Sequence, residues 1–127
     1  MKPESIDFTV LSRLGAERRH YSAGDVIFRA GDAGEELFVI RDGTVAVEVK
    51  GVVVERLGSS EIFGEMALVE AKPRSATVIA ETDCVVVPIS EKQFLNMVEY
   101  APSFSLAVIR TLAHRLREAN ENRRRAA

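Results

Sequence analysis

Short segments rich in valine and isoleucine, each followed by a turn signal, fill the middle of this chain and constrain its fold more than any other feature. They recur at a spacing of roughly ten residues, as strands of all-β domains do. The pattern predicts strands at residues 20–21, 26–28, 37–40, 45–49, 52–57, 76–80 and 85–87, the last ending at Pro88. Such a series indicates a β-sandwich or a β-barrel.

Turn dipeptides predict how these strands connect. Asp42-Gly43 favours a tight hairpin, so residues 45–49 are expected to pair back onto residues 37–40. Lys50-Gly51 then turns the chain into residues 52–57. Four apolar residues in or beside these segments are typical of a core: Val54, Ile62, Val78 and Cys84.

Helical patterns flank the strands. Residues 6–14 place apolar side chains at helical spacing, and Gly15 is positioned as a stop. Ser90 opens a capping pattern, followed by an apolar face of Phe94, Leu95, Met97 and Val98. Pro102 interrupts this helix, and a longer one is predicted from Ser103 towards Arg123.

The long helix carries a second pattern. Five residues recur at spacings of three and four, as the a and d positions of a coiled coil do: Leu106, Ile109, Ala113, Leu116 and Asn120. Two interpretations stay open, namely a helix packed on its own strands and the seam of a symmetric homodimer.

Bulk properties place the chain among ordinary globular domains. Its 127 residues suffice for one domain, and 46% of them are hydrophobic. A formal net charge of −2 argues against nucleic-acid binding by the molecule as a whole. The single Cys84 fits a reducing compartment, and neither a membrane span nor a signal peptide is visible. We therefore expect a soluble cytoplasmic domain.

The stretch at residues 61–80 carries the chemistry. Gly64 permits a tight turn and close backbone approach. A short helix over residues 65–69 would direct free N–H groups at an anion. Arg74 offers a planar fork that suits two phosphate oxygens, and Ser75 adds a hydroxyl donor.

Glu65 is unexpected in an anion site. A carboxylate at this position makes sense if the ligand also offers hydroxyl donors, as a ribose does. Phosphate and ribose groups together indicate a nucleotide.

These motifs resemble a known family. FGEMAL followed by PRSATV is similar to the phosphate-binding cassette of cyclic nucleotide-binding domains, which occur in catabolite activator and FNR-type regulators, protein kinase A regulatory subunits and cyclic-nucleotide-gated channels. The resemblance covers about residues 7–120. It implies a mainly β fold with flanking helices, a double-stranded β-helix or jelly-roll-like β-roll over about 18–89, with a hinge and lid helices over about 90–125.

The resemblance also implies a non-catalytic sensor of a cyclic nucleotide. Ligand-binding roles carry over to Gly64, Glu65, Met66, Ala67, Arg74, Ser75 and Ala76. Arg74 would neutralise the cyclic phosphate, Ser75 and the amides around Ala67 would complete its hydrogen bonds, and Glu65 would hold the ribose 2′-hydroxyl. Serine at position 75, where the family often has threonine with cyclic GMP, favours cyclic AMP, with cyclic GMP as the second candidate.

The last helix would move as a lid when ligand binds, about a hinge at residues 90–102. Candidates for contact with the base are Arg110, Thr111, His114 and Arg117. No cofactor, membrane or direct nucleic-acid partner is expected. An effector domain on a longer parent chain is one way to provide an output, and a stand-alone binding protein is the other.

Two alternatives have different functions. The same fold could serve as an interaction or dimerisation module without nucleotide. A metal-dependent jelly-roll enzyme would need a cluster of histidine and carboxylate ligands, commonly three or more. Its two histidines, His20 and His114, lie on separate elements, which argues against that enzyme.

Overall fold

The elements follow one another in the order that the sequence predicts, with one strand more. The computed structural model describes residues 6–70 and 72–126. Its helices are α1 (Phe8–Arg13), α2 (Met66–Glu70), α3 (Glu91–Tyr100) and α4 (Pro102–Ala126). Its strands are β1 (Arg19–Tyr21), β2 (Val26–Phe28), β3 (Glu36–Asp42), β4 (Val45–Val49), β5 (Val52–Leu57), β6 (Ile62–Phe63), β7 (Thr77–Ala80) and β8 (Cys84–Ser90).

The eight strands form two four-stranded antiparallel sheets. One has the order β1-β8-β3-β6 and the other β2-β7-β4-β5. Buried residues from both sheets form a shared core, among them Phe38, Val45, Val78 and the predicted core residue Cys84. The expectation of a mainly β fold with flanking helices is confirmed.

The predicted hairpin at Asp42-Gly43 is wrong. β3 and β4 lie in different sheets, and β4 pairs with β5 and β7 instead. Gly43 has φ +92°, and a Cβ there would overlap the backbone oxygen of Asp83. The chain bends at Gly43 and passes from one sheet to the other there. The Lys50-Gly51 hairpin is confirmed, because β4 pairs with β5.

Strands β8 and β6 differ most from the prediction. β8 continues through Pro88, which pairs with Phe38 of β3. Proline is tolerated because β1 pairs with β8 only as far as Val86, so no neighbour on that side needs its missing N–H. β6 was not predicted, since two residues carry no periodicity.

Val54 is not a core residue. It lies on β5, an edge strand, and is 59% exposed. Three consecutive valines cannot all face inwards in a strand, where side chains alternate between faces. Ile62 and Val78 are buried, as expected.

Helices α1, α3 and α4 pack on β3 and β8 and form a second core with them. The side chain of Asp7 caps α1, and Ser90 and Gln93 form a reciprocal capping box at the start of α3. Met97 is fully buried, whereas Leu95 and Val98 are exposed, so the predicted apolar face of α3 is narrower than expected.

The a and d positions of α4 do not pack on the strands. The helix buries Phe104, Ala107 and Val108, whereas Ile109 is 58% and Leu116 64% exposed. Leu106, Ala113 and Asn120 are exposed as well. Helix α4 therefore packs on its own strands, as one interpretation expected, but through Phe104 and Val108 and not through the a and d residues.

Candidate functional site

A cavity of about 280 Å³ lies between the β-roll, α2 and α4, and all seven predicted site residues line it. Gly64, Glu65, Met66 and Ala67 come from the β6–α2 connection, and Arg74, Ser75 and Ala76 from the segment before β7. Further lining residues are mainly apolar and come from the strands: Phe28, Val47, Leu57, Phe63 and Val78. The structure brings the predicted residues together, and their ligand roles stay predictions.

Arg74 is charged and yet only 8% exposed, and contacts within the chain hold its side chain in place. Its Nη1 donates to the carbonyl oxygen of Gly64 at 3.0 Å, and its Nη2 donates to that of Glu36 at 2.8 Å. The guanidinium carbon lies 4.2 Å from the centre of the Phe28 ring, within cation–π distance. Nε is buried and has no hydrogen-bond partner among the described residues. The two hydrogen bonds use two of the five N–H donors of the guanidinium, so its hydrogen-bonding capacity is not exhausted within the chain.

Burial lowers the pKa of Arg74, while the negative charges of Glu36 and Asp32 act to raise it. Since arginine is protonated in proteins at any ordinary pH, the side chain keeps its charge in the cavity. It is a fixed cation in a poorly hydrated place, which is what an anion site needs.

Two glycines make room for this arginine. A Cβ on Gly34 would lie 2.6 Å from Cζ of Arg74, and a Cβ on Gly64 would lie 2.8 Å from its Nη1. Gly64 also has φ +75°, a conformation that other residues rarely adopt. Gly34 was not singled out from the sequence, because its closeness to Arg74 depends on folding.

Some of the amides around Ala67 that were expected to be free have hydrogen-bond acceptors within the chain. The Ala67 amide donates to the carbonyl oxygen of Gly64 at 3.2 Å, and the Leu68 amide donates to that of Glu65 at 3.1 Å. These bonds tighten the first turn of α2 and use donors that a longer helix start would leave open. The Ala67 amide is therefore bonded within the chain, and its contact with a phosphate stays a prediction.

Glu65 is 5% exposed and forms an ion pair with Arg115 of α4. Nη1 of Arg115 donates to Oε1 of Glu65, and its Nη2 donates to the carbonyl oxygen of Ile62. Burial lowers the pKa of Arg115, and the charges of Glu55, Glu61 and Glu118 oppose that shift. Arg115 thus ties α4 to the carboxylate that was predicted to hold a ribose.

The residues of α4 that were predicted to contact the base do not line the cavity. Arg110, Thr111, His114 and Arg117 are not among the described residues that line the cavity, whereas Arg115 is. Thr111 donates to the carbonyl oxygen of Ala107, and His114 lies 3.1 Å from Glu118. A signal for Arg115 did exist: it continues the buried stripe of Phe104, Val108 and Leu112 at helical spacing.

Other charged residues line the mouth of the cavity. Lys72 pairs with Glu70 at 3.2 Å, and Glu55 projects from β5. Within residues 6–70 and 72–126 there is no group of three His, Cys, Asp or Glu residues that could hold a metal ion. Nor is any helix in that part of the chain long and apolar enough to cross a membrane.

Comparisons with known proteins show which family the chain resembles. A family model described as the cyclic nucleotide-binding domain matches residues 18–101. The cyclic AMP receptor protein of Thermus thermophilus is 31% identical over 125 residues, which are 94% of this chain and 56% of that protein. An uncharacterized NTE family protein of Mycobacterium bovis is 33% identical over 117 residues, 90% of this chain and 20% of that protein.

Solved structures show the same fold. The catabolite activator protein of Thermus thermophilus superposes with a TM-score of 0.80 at 29% identity, over 91% of this chain and 56% of that one. The predicted β-roll is thereby confirmed. This chain spans between about a fifth and about half of the relatives named above. Since the family model covers most of the sequence, the chain belongs to the cyclic nucleotide-binding domain family.

Proposed function

We propose that this chain is a non-catalytic sensor that binds cyclic AMP in the cavity beneath α4 and transmits binding through that helix. The observation that carries the proposal is Arg74, a buried cation that lines the cavity. A phosphate oxygen in the cavity would pair with this guanidinium in a charge-assisted hydrogen bond. Ser75 lines the same end and would add its hydroxyl.

Glu65 would accept the ribose 2′-hydroxyl. Its carboxylate has two oxygens, and Nη1 of Arg115 donates to Oε1. A carboxylate that is already paired with a guanidinium is a weaker acceptor for a second donor. The ribose and Arg115 therefore compete for Glu65, and ligand weakens the attachment of α4. This competition gives the two helix positions different ligand affinities, which coupling requires.

Cyclic AMP is preferred over cyclic GMP on the basis of Ser75, and one relative bears the name cyclic AMP receptor protein. The output would come from an effector on a longer chain or from a partner in the cytoplasm. The exposed a and d residues of α4 would pair with those of a second copy, because a heptad stripe is complementary to itself.

The first experiment is calorimetric titration with cyclic AMP and cyclic GMP, after unfolding and refolding to strip any bound ligand. We expect tight binding of cyclic AMP and weaker binding of cyclic GMP. Binding of neither would refute the sensor and leave an interaction module.

Coupling is tested with Glu65→Gln, Arg115→Ala and the 2′-deoxy analogue of cyclic AMP. The Glu65→Gln loss should largely vanish with the analogue. Arg115→Ala should increase the affinity difference between cyclic AMP and its 2′-deoxy form, because Glu65 is then free for the ribose. An unchanged difference in both variants would rule out competition at Glu65.

The homodimer is tested by sedimentation equilibrium of the parent and of Ile109→Glu. The parent should be a dimer and the variant a monomer. Lys92→Glu, on the exposed face of α3, serves as a control for the added negative charge. A monomeric parent at all concentrations would reject the seam.

A further inference from the structure

One row of directly paired residues crosses the sheet under the cavity. Phe28 of β2 pairs with Val78 of β7, Val78 pairs with Val47 of β4, and Val47 pairs with Glu55 of β5. All four line the cavity. Because neighbouring strands lie about 4.8 Å apart, the row is about 14 Å long from backbone to backbone.

The two ends of this row differ in charge. Arg74 stacks on Phe28 at one end, and the carboxylate of Glu55 stands at the other. Between them Val78 and Val47 offer an apolar floor. A ligand whose phosphate lies on Arg74 would place its flat base over the two valines, with the edge of the base directed towards β5.

We infer that Glu55 determines the base specificity of this site by accepting a hydrogen bond from the exocyclic 6-amino group of adenine. This inference rests on the proposed function and adds the residue that reads the base. Ionised carboxylates are acceptors only, so Glu55 favours a base edge that carries a donor. Hypoxanthine has a carbonyl oxygen in place of the amino group, and its donor on that edge is the neighbouring N1–H. A carboxylate placed to accept from the 6-amino group would therefore face an acceptor at that position.

The other carboxylates of the cavity are engaged. Glu65 pairs with Arg115, and Glu70 pairs with Lys72 at the phosphate end. Glu55 also acts on Arg115, since its negative charge raises the pKa of that guanidinium against burial. Directly paired residues on neighbouring strands lie on the same face of a sheet, so Glu55 shares the cavity face with Val47 and Val78.

The test compares titrations of cyclic AMP and cyclic IMP, whose base is hypoxanthine. The parent should prefer cyclic AMP by about tenfold or more, the size of one hydrogen bond to a charged group. Glu55→Gln should bring the two affinities within about threefold, because an amide can donate to the carbonyl as well as accept from the amine. Cyclic IMP should gain affinity in this variant.

Glu70→Gln is the matched control. It removes the same charge from the same cavity but at the phosphate end, so the preference for cyclic AMP should remain. A general disturbance of α4 through Arg115 would change both affinities equally, and their ratio is insensitive to it.

The outcomes separate the two proposals. Cyclic AMP binding that is lost in Arg74→Ala supports the proposed function. If the parent then shows no preference for cyclic AMP over cyclic IMP, or if Glu55→Gln leaves the ratio of the two affinities unchanged, only the role of Glu55 is overturned. Absence of binding of either nucleotide to the parent overturns the proposed function and this inference with it.

Discussion

Replacing Arg74 by alanine is the perturbation that examines the site most directly. In the free protein, the change removes the hydrogen bonds to the carbonyl oxygens of Gly64 and Glu36 and the stacking on Phe28. Bonds of this kind contribute about 1–2 kcal/mol each and the stacking about 1 kcal/mol. Water entering the cavity would rehydrate the carbonyls, so we expect a net loss of unfolding free energy of about 1–3 kcal/mol.

The effect on ligand affinity should be larger. Loss of one partner from a desolvated charge pair reduces binding by about 2–5 kcal/mol, which is roughly thirtyfold to several thousandfold in the dissociation constant. Calorimetric titration with cyclic AMP measures it, and urea denaturation establishes that the variant is folded. Arg56→Ala is the control, because Arg56 is exposed and pairs with Glu81. A folded Arg74→Ala protein with the affinity of the parent would refute the assignment of Arg74 as phosphate anchor.

Three further substitutions test the packing that supports the site. Gly34→Ala should reduce cyclic AMP affinity about tenfold or more in titrations, because the new Cβ displaces Arg74. Gly43→Ala should lower the unfolding free energy by about 2 kcal/mol or more in urea, since φ +92° disfavours a side chain and a backbone oxygen faces it. Met97→Ala should cost about 2–5 kcal/mol in the same assay and exposed Leu95→Ala under about 1 kcal/mol, and equal losses would contradict the burial pattern of α3.

The sequence predicts strands better than it predicts their partners. Strand positions depend on local alternation, and seven of the eight strands were anticipated on that basis. The choice of neighbour depends on which faces meet in the folded chain, and the dipeptide Asp42-Gly43 does not contain that information. The closeness of Gly43 to Asp83 arises only after folding, so no local sequence pattern marks it.

The sequence likewise predicts the site residues that are close together in the chain and misses the one that is distant. Residues 64–67 and 74–76 form a contiguous pattern and were found from the sequence, but Arg115 lies far along the chain on α4. The a and d spacing marks the exposed stripe of α4, whereas Arg115 continues the buried stripe on another face of the helix. An arginine at the end of a buried stripe needs a partner of opposite charge, and Glu65 is that partner.

Among the described residues that line the cavity, two buried charged side chains, Arg74 and Glu65, are not explained by the stability of the fold. Most buried polar groups in folded proteins have hydrogen-bond partners, and replacing a buried ion pair by apolar residues is often neutral or stabilising. Here Nε of Arg74 has no partner, and the carboxylate of Glu65 is buried against a single arginine. An apolar cavity would serve stability as well, so stability alone does not account for these groups. A ligand that carries both an anion and hydroxyl groups would account for them, because it would pair with Arg74 and Glu65 together. Such a ligand must also stabilise the fold, by about 2.7 kcal/mol at a hundred times its dissociation constant.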